Sequence, residues 1–215
     1  MTITRPTAVD RRRMLVQAAR KLFAERSYEK VTTAEIAKVA GVAYGLIAHH
    51  FENKRGLYLA VMREIAYELS ANQELPPHGN TLHEQIRHAL TNHVTYIDRN
   101  ATGFIAIMRG GLGADPEMRT MIDELRWNGA QRILRHLGVT DPVPTLLRTT
   151  MRGWVGYFDE IVIDRLEYHD INVPTLVELA ATNLVTSLRT AIHLDPQTGL
   201  DPAVIDIIEN AYQGR

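Results

Sequence analysis

The chain has 215 residues and no cysteine, which excludes disulfide bonds and thiolate chemistry. Its hydrophobic content of 45% is ordinary for a globular protein, and it shows neither a bilayer-spanning apolar run nor a signal-peptide core, so we expect a cytoplasmic protein without membrane partners. The formal net charge of −1 is unevenly distributed, because residues 1–60 carry 11 Lys and Arg against 5 Asp and Glu, whereas the remainder carries 13 against 20. A basic N-terminal part joined to an acidic remainder is typical of proteins that bind nucleic acid through one end.

Apolar residues at helical spacing predict a first helix over residues 10–26. Arg5 precedes this helix, and Arg11, Arg12 and Arg13 begin it. Such a basic arm can enter a minor groove or contact backbone phosphates, but a helix start that is simply solvated is at least as common. Both interpretations stay open on the sequence alone.

Residues 32–57 predict two short helices joined by a tight turn. Thr32 and Glu35 have the spacing of a capping box, which starts the first of these helices. Gly41 ends it, because glycine adopts the positive φ of a sharp turn without steric cost. The second helix would cover about residues 43–50. Together with the first helix of the chain, this pair predicts a three-helix head that reads DNA through a helix-turn-helix.

The DNA contacts are expected on the second helix of this pair and at the start of the helix that follows. Asn53 is a good N-cap for that next helix, which begins at Lys54 and whose free backbone amides would suit a phosphate. Base-edge contacts are expected from Tyr44, Gly45 and His49. The full set of candidate DNA-binding residues is Thr32, Thr33, Tyr44, Gly45, Leu46, His49, His50 and Lys54.

The remainder of the chain predicts only helices, since no stretch alternates apolar and polar residues between hairpin turns. The pairs Asp115-Pro116 and Asp141-Pro142 look like an N-cap followed by a proline in the first turn. Gly138 is a C-terminal stop. The helices after the head are expected at 54–75, 81–99, 101–112, 116–137, 142–167, 173–193 and 202–212. The fold class is therefore all-α.

One family's sequence motif runs through the head. Its helix-turn-helix reads approximately T-x-x-x-I-A-x-x-A-G-V-S-x-G-x-x-Y-x-H/Y-F-x-S/N-K-x-x-L. This chain matches that motif at Thr32, Thr33, Ile36, Ala37, Ala40, Gly41, Val42, Gly45, His50, Phe51, Asn53, Lys54 and Leu57, and it matches the motif's preceding helix at Ala18, Ala19, Leu22, Phe23, Glu25 and Tyr28. On these motifs, which cover roughly residues 10–60, the chain resembles the TetR family of one-component transcriptional regulators.

The resemblance implies a homodimeric repressor that a small apolar or amphipathic molecule releases from a palindromic DNA operator. It implies a DNA-binding domain at 1–53, linked by the helix starting at 54 to a ligand-binding and dimerisation domain at 54–215. The chain departs from the family motif at Ala43, where serine is usual, and at Ala48, where tyrosine is usual. Because both changes remove a hydroxyl, the alternative is a small-molecule binding protein with weakened DNA reading.

The helices at about 142–167 and 173–193 are expected to form the homodimer interface, because each carries apolar residues on more than one side. In the earlier helix, one stripe can face the core while the other faces a partner. The two stripes are Leu147, Met151, Trp154, Phe158 and Ile161, and a flanking Val155, Val162 and Leu166. The other explanation is that both stripes belong to the core of the monomer.

Aromatic and apolar side chains spread over several helices are the candidate ligand-binding residues, although an aromatic at helical spacing is equally a plain core residue. The set is Tyr96, Phe104, Ile107, Met108, Trp127, Trp154, Tyr157 and Phe158. No cofactor or metal is expected, since His49 and His50 are adjacent on a helix and point about 100° apart. An enzyme that uses Asp159 or Glu160 is a third hypothesis that nothing in the sequence demands, so no catalytic residue is assigned.

Overall fold

The computed structural model describes residues 7–71, 78–109 and 115–210, and within these ranges it contains ten α-helices and no strand. The predicted all-α fold is thereby confirmed. The helices are α1 (Ala8–Glu25), α2 (Thr33–Ala40), α3 (Gly45–Phe51), α4 (Lys54–Ala71), α5 (Leu82–Arg99), α6 (Ala101–Arg109), α7 (Pro116–His136), α8 (Thr145–Tyr168), α9 (Val173–Leu194) and α10 (Pro202–Asn210).

The helices are grouped into two compact units. The first unit comprises Met1–Glu68 and Asn100–Ile122, and the second comprises Leu69–Arg99 and Asp123–Arg215. The first unit therefore contains α1 to α3, most of α4, the short helix α6 and the beginning of α7. The second unit contains α5, most of α7, and α8 to α10.

Helix α6 belongs to the first unit because it packs on α1. It also lies close to α4, since a Cβ atom added to Gly103 would come within 3.1 Å of Ile65 Cγ2. The compact first unit thus extends beyond the proposed boundary between residues 53 and 54. That boundary separates a DNA-binding role from a ligand-binding and dimerisation role, and it stays a prediction.

Local sequence signals shape the head as expected. The Thr32 hydroxyl accepts a hydrogen bond from the Glu35 amide at 3.2 Å, while the Glu35 carboxylate accepts one from the Thr32 amide at 2.9 Å. The Glu35 carboxylate also accepts a hydrogen bond from the Thr32 hydroxyl, and the bonds from the Thr32 amide and hydroxyl, followed by one from Arg26, lower the pKa of Glu35 to about 2. Gly41 has a φ of 65°, and the Asn53 side chain accepts a hydrogen bond from the Gly56 amide at 3.0 Å. The predicted capping box, turn and N-cap are confirmed.

Three aromatic rings hold the first turns of α4 against α1. Phe23 and Tyr58 meet edge to face with their ring centroids 4.9 Å apart, and Tyr28 meets Tyr58 in the same manner at 5.0 Å. Each such pair contributes roughly 0.5–1.5 kcal/mol beyond the burial of its surface. The start of α4 therefore has a fixed position relative to α1.

The second unit is built around α9, which packs against α5 and α8. The indole of Trp154 on α8 donates a hydrogen bond to the Ala180 carbonyl of α9 at 3.1 Å, so this buried donor is satisfied. An ion pair joins Arg165 on α8 to Asp98 on α5. These contacts connect the three helices that form the core of the unit.

Two expectations for α8 need correction. The helix begins at Thr145 after Pro144, not at Pro142. The reason is that a proline disfavours helical geometry in the residue before it, so Pro144 prevents a helix from running through Val143. Four predicted features lie outside the described residues. They are the arm at Arg5 and the helix ends near residues 75, 112 and 212.

The second correction concerns the two apolar stripes of α8, one of which was expected to face a partner subunit. Val155, Val162 and Leu166 are all buried within the single chain, and so are Leu147, Met151, Trp154 and Phe158 of the other stripe. This burial favours the interpretation that both stripes lie in the core of the monomer. The dimer interface on α8 and α9 stays a prediction.

We expect the capping box to carry a measurable part of the stability. Replacing Thr32 by Ala removes the side-chain acceptor for the Glu35 amide and should lower the free energy of unfolding by about 1 kcal/mol. Urea unfolding followed by circular dichroism measures this change. Thr32→Ser keeps the hydroxyl and is the matched control, so equal losses in the two variants would contradict the assigned role.

Candidate nucleic-acid interface and ligand site

Helix α3 has a buried side and an exposed side. Ile47 and Phe51 are buried, at 3% and 7% exposure, and anchor the helix in the first unit. Its opposite side carries most of the predicted DNA contacts. Of the full predicted set, Thr32, Tyr44, Gly45 and His49 are exposed, whereas Thr33, Leu46, His50 and Lys54 are half-buried.

Two hydroxyls meet where α2 and α3 begin. Thr33 Oγ1 donates a hydrogen bond to the Tyr44 hydroxyl at 3.2 Å, and Tyr44 is 63% exposed. The pair therefore presents a fixed polar edge to solvent. The Thr32 hydroxyl, by contrast, donates to the Glu35 carboxylate at 2.9 Å within the capping box.

Lys54 begins α4 beside the aromatic cluster. Its Nζ atom lies 4.2 Å from the centroid of the Tyr28 ring, which is the geometry of a cation–π contact. The contact holds the ammonium group over the Tyr28 ring. Lys54 thus supplies a cation from the residue that begins α4, and a helix start with a cation suits a phosphate.

Several basic residues of the head are paired inside the first unit. Arg55 binds Asp115 through two hydrogen bonds of 2.6 and 2.8 Å, and it also contacts Glu117. The hydrogen bond from Arg55 is the main reason that the pKa of Asp115 lies below its usual value. Arg20 forms a bidentate pair with Glu68 at 2.6 and 2.7 Å. These cations act within the fold.

An aromatic stack lies in the second unit. Trp154 and Phe158 are stacked with centroids 5.4 Å apart and planes inclined by 14°, and His93 stacks on Phe158 at 5.7 Å. Burial, and then the charge of Arg132, lowers the pKa of His93 to about 4. The imidazole is therefore neutral at pH 7.

A buried carboxylate follows this stack on α8. Asp159 is 6% exposed, and its Oδ2 atom accepts a hydrogen bond from Arg126 Nε of α7 at 2.7 Å. Burial raises the pKa of Asp159 to about 6, against the lowering effect of Arg126. The second unit thus combines aromatic surface with a neutral imidazole and a carboxylate–guanidinium pair.

The structure brings together only part of the predicted ligand set. Trp154 and Phe158 are in contact, and Trp127 lies under the Arg152 guanidinium at 5.3 Å from Cζ to the ring centroid. Tyr96 and Tyr157 are half-buried residues of the same unit. The remaining candidates, Phe104, Ile107 and Met108, lie on α6 in the first unit.

Comparison with known proteins agrees with this architecture. Residues 15–61 match the model of bacterial regulatory proteins of the tetR family, and residues 82–188 match a tetracyclin repressor-like C-terminal domain. The transcriptional repressor AcnR of Corynebacterium diphtheriae is 32% identical over 163 residues, which cover 68% of this chain and 80% of AcnR. The chain belongs to the TetR family.

Two further similarities fit the TetR assignment. The crystal structure of a tetR-family regulator from Streptomyces coelicolor is similar to this chain with a TM-score of 0.78 and 25% sequence identity. The match covers 94% of this chain and 89% of the Streptomyces chain. The Escherichia coli regulator BetI is 42% identical over 59 residues, which span only 30% of BetI.

As a TetR-family member, the chain is a DNA-binding transcriptional regulator and not an enzyme. Regulators of this family bind DNA operators and small-molecule effectors and act as dimers. Among the described residues, no helix is both long and apolar enough to cross a bilayer. The same ranges hold no group of three or more His, Cys, Asp or Glu placed to bind a metal ion.

Sequence reasoning missed the pairings that shape this TetR-family chain. Thr33 and Tyr44 are 11 residues apart, Arg126 and Asp159 are 33 apart, and Arg55 and Asp115 are 60 apart. No periodicity connects residues at such separations. The only available signal was the isolated carboxylate of Asp159 on an otherwise apolar side of α8.

The buried carboxylate predicts a defined pH dependence of stability. Because the pKa of Asp159 is raised from 3.8 to about 6 on folding, its favourable contribution is complete below pH 3.8 and is lost as the pH rises through 6. Relative to Asp159→Asn, the wild-type free energy of unfolding should therefore fall by up to about 3 kcal/mol between pH 4 and pH 7.

Denaturant unfolding at several pH values tests this difference. Asp164→Asn, an exposed substitution on the same helix, is the control and should leave the wild-type profile unchanged. Parallel profiles for the wild type and Asp159→Asn would rule out a raised pKa at this carboxyl.

Proposed function

We propose that this protein is a homodimeric repressor that binds a palindromic operator and is released by a small apolar or amphipathic molecule. The observation that carries the proposal is the exposed side of α3, held by a buried anchor in a basic head. Two such heads related by a two-fold axis would read two half-sites, as helix-turn-helix dimers do.

The DNA contacts are assigned by exposure and chemistry. Tyr44, Gly45 and His49 are exposed on or next to α3 and would face base edges in the major groove. Thr33, His50 and Lys54 would contact backbone phosphates. Hydroxyl, imidazole and ammonium groups all serve such contacts, which position the protein without reading sequence.

The chemistry of the second unit supports an amphipathic effector. Trp154 and Phe158 offer apolar surface, and His93 supplies a neutral polar edge. The Arg126–Asp159 pair supplies charged groups that could fix a polar end of the molecule. The effector would act by preferring one arrangement of the protein over another, since a ligand shifts an equilibrium only by its differential affinity.

The alternative is a small-molecule binding protein whose head has lost tight DNA reading. Ala43 and Ala48 motivate it, because both are exposed and neither offers a hydroxyl. The hydrogen-bonded pair of Thr33 and Tyr44 favours the repressor, since it places two hydroxyls together where α2 and α3 begin. Binding of DNA decides between the two functions.

A dimer interface is supported by one side of α8 and α9. Leu179 is 45% exposed, and a Cβ atom added to Gly153 would meet no atom within 4 Å, so another helix can approach there. The hydroxyls of Thr186 and Thr190 donate to backbone carbonyls of their own helix at 2.8 and 3.0 Å. Burying this side would therefore leave those hydroxyl donors satisfied.

DNA binding is tested with the duplex that flanks the protein's own gene. We expect sequence-selective binding that weakens steeply with salt, and we expect Gly45→Ala to weaken it about tenfold or more, because the added methyl group blocks close approach to the base edges. The added Cβ has open space around it within the protein, so stability should be unchanged.

Non-specific DNA provides the control for this experiment. Gly45→Ala should bind an unrelated duplex as the wild type does, because phosphate contacts are retained. If the wild-type protein binds no DNA at low salt, the proposal of a repressor is overturned and the small-molecule binding protein is favoured.

The dimer interface is tested by introducing a charge. Leu179→Asp should raise the dissociation constant of the dimer about tenfold or more, since it buries an unpaired carboxylate, while the helical circular dichroism spectrum stays intact. Analytical ultracentrifugation measures the change. Tyr67→Asp alters a residue that is 76% exposed in the first unit and should leave the dimer unaffected. If Leu179→Asp dimerises normally, the interface lies elsewhere.

A further inference from the structure

Four basic or titratable side chains are associated with the contact between α1 and the end of α3. Arg12 packs its guanidinium over the Phe51 ring, with Cζ 5.1 Å from the centroid. His50 precedes Phe51 and meets the ring of His49 at a centroid distance of 4.9 Å. Arg11 and Arg12 both act on His50 electrostatically. We call Arg11, Arg12, His49 and His50 the α1–α3 basic cluster.

The charges that bear on His50 are all positive. They come from His49 on its own helix and from Arg12 and Arg11 on α1. Together with burial, which is the largest cause, these charges lower the pKa of His50 below its usual value. Protonation of the imidazole in the free protein is therefore less favourable than in an ordinary histidine.

The acid nearest to this cluster in the chain is already engaged. Asp10 accepts hydrogen bonds from the Thr7 amide at 3.1 Å and the Thr7 hydroxyl at 2.8 Å, and it pairs with Arg13 at 3.2 Å. The Nε atom of Arg11, in contrast, is buried without a hydrogen-bond partner. A buried guanidinium donor that lacks an acceptor is costly, and an anion at the cluster would supply the missing charge.

We propose that the α1–α3 basic cluster binds a phosphate of the DNA backbone and that His50 takes up a proton from solvent as the phosphate arrives. The inference rests on the proposed DNA-binding function. It adds phosphate contacts from residues of α1 and the uptake of one proton on binding. Arg11 and Arg12 supply permanent charge, whereas His50 supplies charge only in the complex.

The sign of the effect follows from the charge of the phosphate. An adjacent anion favours the imidazolium form and raises the pKa of His50, so the complex holds one more proton than the separate molecules. Affinity must then increase as the pH falls from above the pKa of the complex towards that of the free protein. Each unit of difference between the two pKa values strengthens binding by a factor of about ten across that window.

The experiment measures DNA affinity from pH 5.5 to pH 8.5 at constant ionic strength. The probe is a fluorescent duplex that carries the DNA flanking the protein's own gene, and binding is followed by anisotropy. The wild type should bind about threefold or more tighter at pH 6 than at pH 8. His50→Gln, which keeps a polar side chain of similar size, should lose most of this ratio.

Three further variants separate the cluster from general effects. His193→Gln removes an exposed histidine at the end of α9 and should keep the full wild-type pH dependence. His49→Gln should reduce it only in part, because the loss of the His49 charge raises the pKa of His50 in the free protein while His50 still takes up the proton. Arg12→Gln should weaken binding at every pH and reduce the pH dependence, since the loss of a neighbouring cation raises the pKa of His50 in the free protein.

Nuclear magnetic resonance of the histidine rings gives an independent readout. The His50 resonance, assigned by its absence in His50→Gln, should titrate below pH 6.5 in the free protein and at higher pH in the complex. Equal pH dependence in the wild type and His50→Gln, or an unchanged His50 titration on binding, overturns the proton uptake while DNA binding stands. Absence of DNA binding at any pH overturns the proposed function and this inference together.

Discussion

Helix α3 depends entirely on its support, because seven residues are too few to form a stable helix in isolation. Ile47 and Phe51 provide that support by burying one side of the helix in the first unit. The orientation of the exposed side is then determined by packing. The direction of the proposed DNA-reading surface is thus set by the buried residues on the opposite side of the helix.

The same support explains why the head is arranged around α1. This helix packs on α2 and α3, and its Phe23 meets Tyr58 of α4. One helix therefore positions both the reading surface and the Lys54 start of α4. A change in the packing of α1 would move together the groups proposed to read bases and those proposed to bind phosphates.

The sequence contained enough information for most of the local structure of the head. The capping box of Thr32 and Glu35, the turn at Gly41 and the cap at Asn53 each involve residues within three or four positions, and all were predictable. The exposed side of α3 followed from helical periodicity. The resemblance of the head motif to one family added the fold and the regulatory function.

Most of what the sequence does not predict depends on contacts between distant residues. The start of α8 is a local exception, because Asp141-Pro142 favours an earlier start than the one that Pro144 imposes. The burial of Val155 could not be predicted, since a second apolar stripe fits a monomer core and a dimer interface equally well. Ligand candidates on different helices looked like one set, yet Phe104 lies in the first unit and Trp154 in the second.

The ion pairs between α4 and the beginning of α7 make the head dependent on a segment far along the chain. Arg55 binds Asp115 and Glu117, and Arg63 binds Glu117, all within the first unit. A fragment that ended near residue 60 would lack both carboxylates and the α6 surface that covers α1. It would carry an uncompensated Arg55 and exposed apolar surface. The smallest fragment that keeps all contacts of the head must therefore combine two separate segments of the sequence.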